Sequence, residues 1–116
     1  MGLPLAPEVA PASLTAEPVG LAGLVTYQPG GVVSRTLLKR KGGTVTVFAF
    51  DQGQALSEHT APFDAMVEVL EGEVELVIGG KKVTVRTGEA VLMPAGVPHA
   101  VHARTKLKML LLMVRE

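Results

Sequence analysis

The chain has no cysteine among its 116 residues. It therefore holds no disulfide and no thiolate, and this absence fits a protein of the cytoplasm. The sequence also lacks net charge, because eleven basic residues balance eleven acidic ones. Nucleic acid is thus not an expected partner, and we interpret the short basic cluster at residues 39–41 as a solvated strand end.

Long apolar runs are also absent. The longest one near the C-terminus, residues 109–114, is far too short to cross a bilayer, so no membrane partner is expected. The apolar N-terminal segment is interrupted by prolines and has no cationic stretch, which argues against a signal peptide. We predict that residues 1–23 form an extended arm and that residues 24–116 form one barrel domain, as the length allows.

Short segments rich in β-branched and apolar residues dominate the chain from Val32 onward, and no segment has a helical period. Gly79-Gly80 is the kind of two-residue turn that joins hairpin strands. The predicted strands are 32–38, 44–50, 66–70, 74–78, 82–85, 90–93, 98–103 and 107–114. Strands at this spacing indicate an all-β sandwich or barrel.

Two stretches that begin at a glycine contain two of the three histidines. The first starts at Gly53 and has the spacing G-x₅-H-x-A-x₃-A-x₆-G, in which the histidine is His59. The second starts at Gly88 and has the spacing G-x₅-P-x-G-x₂-H-x₃-A, in which the histidine is His99. With histidine, glutamate and asparagine at the three alanines, these would be the two motifs of the cupin superfamily. The chain therefore resembles a small single-domain cupin.

The resemblance implies a double-stranded β-helix, or jelly-roll, barrel with the motif residues facing its interior. It places five positions in a ligand-binding pocket: His59, Ala61, Ala65, His99 and Ala103. His59 and His99 are its polar members and the candidates for catalysis. His102 lies three residues from His99, so strand alternation predicts that it faces solvent.

A complete cupin set of three histidines and one glutamate holds a divalent transition metal such as Zn, Ni, Fe or Mn. Here only His59 and His99 remain as candidate metal ligands. Zinc enzymes normally keep three protein ligands and the non-haem iron triad needs a carboxylate, so tight metal binding is not expected. A β-bulge that re-aimed Asp64 or Glu58 is the alternative that would supply a carboxylate.

The histidine pair allows two interpretations. Both rings are hydrogen-bonded core residues, or both are polar groups in a pocket left by the three alanines. The pocket interpretation gives a module that binds a small organic molecule. The first alternative is a metal-independent or weakly metal-dependent isomerase or lyase that uses histidine as general acid or base. The second is a metal-dependent oxygenase, the activity of many complete cupins.

A homodimer is expected as well. The proline-rich arm has no means of packing on itself, and the segment 32–38 would be hazardous as an open edge strand. Small cupins that resemble this chain pair through such N-terminal strands.

Overall fold

The computed structural model describes the backbone of residues 8–9 and all of residues 14–115. This part of the chain is all-β apart from one short 3₁₀ helix, Leu21–Leu24. Its ten strands are β1 Glu8–Val9, β2 Val32–Arg40, β3 Gly43–Phe50, β4 Ala55–His59, β5 Asp64–Glu71, β6 Glu73–Ile78, β7 Lys81–Arg86, β8 Ala90–Met93, β9 His99–Ala103 and β10 Leu107–Val114. No helix of the described residues has the length and apolarity needed to cross a membrane.

The strands form two sheets that face each other. The six-stranded sheet has the order β1-β2-β3-β10-β5-β8, and the four-stranded sheet has the order β4-β9-β6-β7. Every pairing is antiparallel except that of β1 with β2. The inward side chains of both sheets form one apolar core, in which Val67 and Leu111 represent the first sheet and Leu76 and Val101 the second. This is the jelly-roll barrel that the motifs predicted.

Local sequence signals located most strands correctly. The predicted bounds of β10 agree with the structure, and Gly79 and Gly80 form the hairpin turn with φ angles of 57° and 81°. The spacing of two residues predicts that His59 and Ala61 share one face of an extended strand. That prediction was wrong, because β4 ends at His59 and Ala61 lies beyond it. Residues 55–59 are a strand that the alternation of residue types did not reveal.

The predicted arm is only partly within the described residues. Its segments 1–7 and 10–13 fall outside them, while Glu8–Val9 pairs in parallel with Ser34 and Arg35 of β2. The predicted boundary at residue 23 falls inside the 3₁₀ helix. Residues 24–27 pack on the outer face of the six-stranded sheet, where Val25 is buried against Val47 and Ala49.

Hydrogen bonds fix this N-terminal connection to the barrel. The ammonium group of Lys108 donates to the carbonyl of Ala22 over 2.7 Å. The hydroxyl of Tyr27 donates to Glu71, and the ammonium groups of Lys106 and Lys108 lie 5.3 and 5.0 Å from the centre of the Tyr27 ring. Burial, together with the hydrogen bond and the charge of Glu71, raises the pKa of the Tyr27 hydroxyl. Residues 21–27 are thus a covering layer of the barrel and not a loose linker.

Candidate functional site

The two motif histidines meet on adjacent strands of the four-stranded sheet. His59 at the end of β4 is paired with His99 at the start of β9. Between Leu56 and His59 the register shifts, so that three steps along β4 match two steps along β9. This β-bulge turns His59 to the side of the sheet that Leu56 occupies. The two imidazole rings pack edge to face with their centres 4.3 Å apart and their planes at 70°.

Each ring makes the same backbone contact. Nδ1 of His59 lies 2.7 Å from the carbonyl oxygen of Ser57, and Nδ1 of His99 lies 3.2 Å from that of Val97. A carbonyl oxygen only accepts, so Nδ1 must carry the proton in both rings. In the neutral tautomer Nε2 is then an acceptor. Nε2 of His59 is buried and has no hydrogen-bond partner among the described residues.

His99 is the more buried histidine, with 3% of its surface exposed. Loss of solvation lowers the pKa of its imidazole, and the neighbouring His59 adds to this effect, while the hydrogen bond to Val97 opposes it. The ring therefore favours the neutral form. A neutral imidazole next to a second one is able to accept a proton or a hydrogen bond.

The three alanines of the motifs are all buried in the main core. Ala65 on β5 lies between Met113 on β10 and Met93 on β8. Both methionines are buried, so apolar side chains occupy the surroundings of the position where cupins carry glutamate. Ala103 is in register with Val74 at the far end of β9, about four strand steps of 3.3 Å from His99. The structure thus brings His59 and His99 together but leaves Ala103 distant from them.

Neither candidate carboxylate joins the histidines. Glu58 is exposed although it lies within the bulge of β4. Asp64 is exposed too, and its carboxylate accepts a hydrogen bond of 2.9 Å from the backbone N–H of Ala95. His102 is exposed, which confirms the prediction from strand alternation.

The donor set does not fit the metal that complete cupins hold. Among the described residues no group of three or more histidine, aspartate or glutamate side chains is placed to hold an ion. Two imidazoles without a carboxylate supply neither the ligand number nor the negative charge of zinc or non-haem iron sites. The histidine pair therefore does not form the metal centre of a complete cupin.

A second feature of the structure was not predicted from the sequence. A half-open cavity of about 170 Å³ lies at one end of the barrel. Its lining residues come from three separate parts of the chain: Lys39, Arg40, Gly43, Thr44, Phe63, Met113 and Arg115. Residues 39–41 are exposed at the end of β2, as the sequence predicts, and Lys39 and Arg40 also line this cavity. Only strand pairing brings them near Arg115, because Arg40 is opposite Gly43 and Gly43 is opposite Val114.

Comparison with known proteins agrees with the fold and the motifs. The fold and the motifs define a small all-β barrel protein with an inward histidine pair. Residues 46–115 match the family model described as cupin domain. The chain belongs to the cupin family. No curated protein matches it.

Solved structures of similar chains support the assignment. A conserved protein of unknown function from Streptococcus pyogenes is 38% identical, with a TM-score of 0.83 over 87% of this chain and 89% of that one. A cupin 2 conserved barrel domain protein from Leptotrichia buccalis is 43% identical, with a TM-score of 0.79; the match covers 82% of this chain but only 46% of that one. A cupin superfamily protein from Desulfitobacterium hafniense has a TM-score of 0.83 over 88% of this chain and 94% of that one, but at 24% identity it shows the fold alone.

Proposed function

We propose that this cupin is a binding module that holds a small organic molecule in the barrel through His59 and His99. The observation that carries the proposal is the buried Nε2 of His59, which has no partner among the described residues. A buried acceptor without a hydrogen bond costs about 1–3 kcal/mol, and proteins keep few such atoms. A ligand that donates a hydrogen bond would remove this cost.

The tautomers define the chemistry of that ligand. Because the Nδ1 atoms face the carbonyl oxygens of Ser57 and Val97, both Nε2 atoms are acceptors in the neutral rings. The ligand must therefore present O–H or N–H groups, as an alcohol, an amide or an amine does. Ala61 and Ala65 belong to the apolar core of the barrel, and an apolar environment suits the carbon skeleton of such a molecule.

Paired variants test the proposal. A library of hydroxylated and amide-containing compounds is screened by ligand-observed NMR against the parent, His59→Ala, His99→Ala and the control His102→Ala. We expect binders that both pocket variants lose and that the exposed-site control retains. The melting temperature of His59→Ala should stay close to that of the parent, because the loss of the exposed hydrogen bond from Nδ1 to the Ser57 carbonyl is offset by removal of the unpaired Nε2. A fall of about 1–3 kcal/mol in stability with binding intact would identify a core histidine instead.

A second candidate function is an isomerase or lyase in which His99 acts as general base. The lowered pKa of His99 favours this candidate, because burial keeps the ring neutral and ready to accept a proton. His59, in contact with it, would return the proton. Incubating each confirmed ligand in D₂O and following carbon-bound hydrogen exchange by NMR tests the role. Exchange that vanishes in His99→Ala supports an enzyme, whereas binding without exchange supports the module.

A further inference from the structure

We propose that the cavity at the end of the barrel binds the carboxylate or phosphate group of a small organic anion. This site is separate from the proposed histidine site, because neither His59 nor His99 lines the cavity. Three observations on the described residues support such a site: cationic groups that form no ion pair with them, a buried hydroxyl without a hydrogen-bond partner among them, and an apolar wall.

Three cationic residues line the cavity: Lys39 and Arg40 at the end of β2, and Arg115 directly after β10. The ion pairs within the described residues all involve Glu73 or Glu75. None of them includes a cation of the cavity. In a chain with no net charge, three such cations around one concave space form a local positive field that attracts an anion.

Arg115 is held in an orientation suited to this task. Its Nε donates to the carbonyl of Lys41 over 2.6 Å, and its guanidinium carbon lies 5.2 Å from the centre of the Phe63 ring. These two contacts anchor the guanidinium, and neither of its terminal nitrogens donates a hydrogen bond to a described residue. Two parallel N–H donors match the two oxygens of a carboxylate or phosphate.

Thr44 supplies the second, independent sign of a ligand. It lines the cavity from the inward face of β3, only 8% of its surface is exposed, and its hydroxyl has no partner among the described residues. Valine would fill the same volume without a buried hydroxyl that lacks a hydrogen bond. A threonine at this position is therefore explained if the hydroxyl donates to an anion in the cavity.

The remaining wall suggests the size and nature of the ligand. Phe63 and Met113 are buried and give the cavity an apolar side next to its cationic rim. The volume of about 170 Å³ is close to that of an engineered cavity of about 150 Å³ that binds benzene. A ring or short chain carrying one acidic group has the matching size and polarity.

Three probes that share a phenyl ring test the site: benzoate, phenyl phosphate and the neutral benzamide. Titration calorimetry at low ionic strength should show binding of one or both anions and none of benzamide. Which anion binds better distinguishes a carboxylate from a phosphate ligand. Added salt should weaken the affinity, because the cavity is half open and its charges are screened.

Variants locate the binding. Arg115→Gln and Thr44→Val should each weaken the affinity for the preferred anion about tenfold or more, as expected for the loss of a hydrogen bond to a charged group. Lys81→Gln removes an exposed lysine of β7 and should leave the affinity unchanged, as should His59→Ala. Without ligand, Thr44→Val should melt at or above the temperature of the parent, which shows that the variant is folded.

Three outcomes would overturn the proposal. The first is that neither anion binds to the parent at tens of millimolar concentration. The second is that benzamide binds as well as the anions. The third is that Thr44→Val and Arg115→Gln both bind like the parent. Loss of anion binding in His59→Ala would assign the anion to the histidine site instead, so failure here and failure of the proposed function are separately visible.

Discussion

Two buried side-chain atoms in residues 14–115 have no hydrogen-bond partner, Nε2 of His59 and the hydroxyl of Thr44. Most buried polar atoms in proteins are paired, so each exception needs a physical reason. Here each exception lies at a proposed site, one beside His99 and one in the cationic cavity. At the scale of single residues, these two unpaired atoms are the observations on which the two proposed binding sites rest.

The lowered pKa of His99 predicts how stability depends on pH. The unfolded chain protonates this imidazole near its ordinary pKa of 6.5, whereas the folded protein resists protonation of the buried ring. Below that pH the unfolded state binds more protons, so the free energy of unfolding should fall as the solution is acidified, by at most about 1.4 kcal/mol per pH unit from this group. Urea unfolding at a series of pH values measures the slope. His99→Gln should flatten it and His102→Gln should not; an unchanged slope in His99→Gln would contradict the assignment.

At the scale of strands and turns, Gly72 shows why the first motif ends in glycine. It joins β5 to β6 with a φ of 94°. A Cβ atom at this position would lie 2.1 Å from the carbonyl oxygen of Lys106 and 2.7 Å from the hydroxyl of Thr105. Gly88 begins the second motif with a φ of 85°, but a Cβ there would meet no atom within 4 Å. The two glycines share the conformation and differ in the space around them.

Alanine substitutions at these glycines should therefore differ in cost. Gly88→Ala bears only the strain of a left-handed backbone, about 1–2 kcal/mol. Gly72→Ala bears that strain and a clash with the backbone carbonyl of Lys106, so the free energy of unfolding should fall by more than about 3 kcal/mol. Chemical denaturation of both variants measures the difference. Equal losses of unfolding free energy in the two variants would mean that the backbone around the β5–β6 junction shifts to accommodate the added methyl group.

The sequence predicted those parts of the fold that local signals determine. Alternation and glycine turns located β6, β7 and β10, and the spacing of the motifs placed His59 beside His99. The β-bulge at residues 57–58 was foreseen only as an alternative that would re-aim Glu58, because nothing in Ser57-Glu58 marks an unpaired residue. The cationic cavity was hidden for another reason. Its cations are distant in sequence, and only the pairing of β2, β3 and β10 assembles them.

Restoring the motif residues tests the geometry of the histidine site. Ala61→His with Ala65→Glu would place a third histidine and a carboxylate at the positions that cupins use. Since both alanines are buried, the metal-free double variant should be less stable than the parent, by about 1–3 kcal/mol from overpacking alone. Zinc or nickel should recover the loss progressively, with the logarithm of its free concentration above the Kd, and less at acid pH where histidine protonates. A melting temperature that does not change with the metal concentration would show that positions 59, 61, 65 and 99 do not converge.

At the scale of the whole molecule, the outer face of the six-stranded sheet is unevenly covered. Residues 24–27 cover the part around Val47 and Ala49. Beyond them a row of apolar side chains crosses five strands in register: Leu38, Val45, Leu112, Met66 and Leu92. It spans four interstrand steps of about 4.8 Å each. Leu38 and Leu92 are 46% and 58% exposed, so this apolar row is largely open to solvent at both ends.

The apolar row supports the homodimer expected from the sequence. Strand β1 pairs with the edge of β2 at Ser34 and Arg35. Exposed apolar surface favours association with a second copy. Sedimentation equilibrium at micromolar concentration should give twice 12.1 kDa. Leu92→Glu places a charge in the apolar row and should shift the mass toward the monomer, while Thr84→Glu on the exposed surface of β7 should not. A parent that sediments as a monomer would contradict the dimer, and a dimer that survives Leu92→Glu would place its interface away from the apolar row.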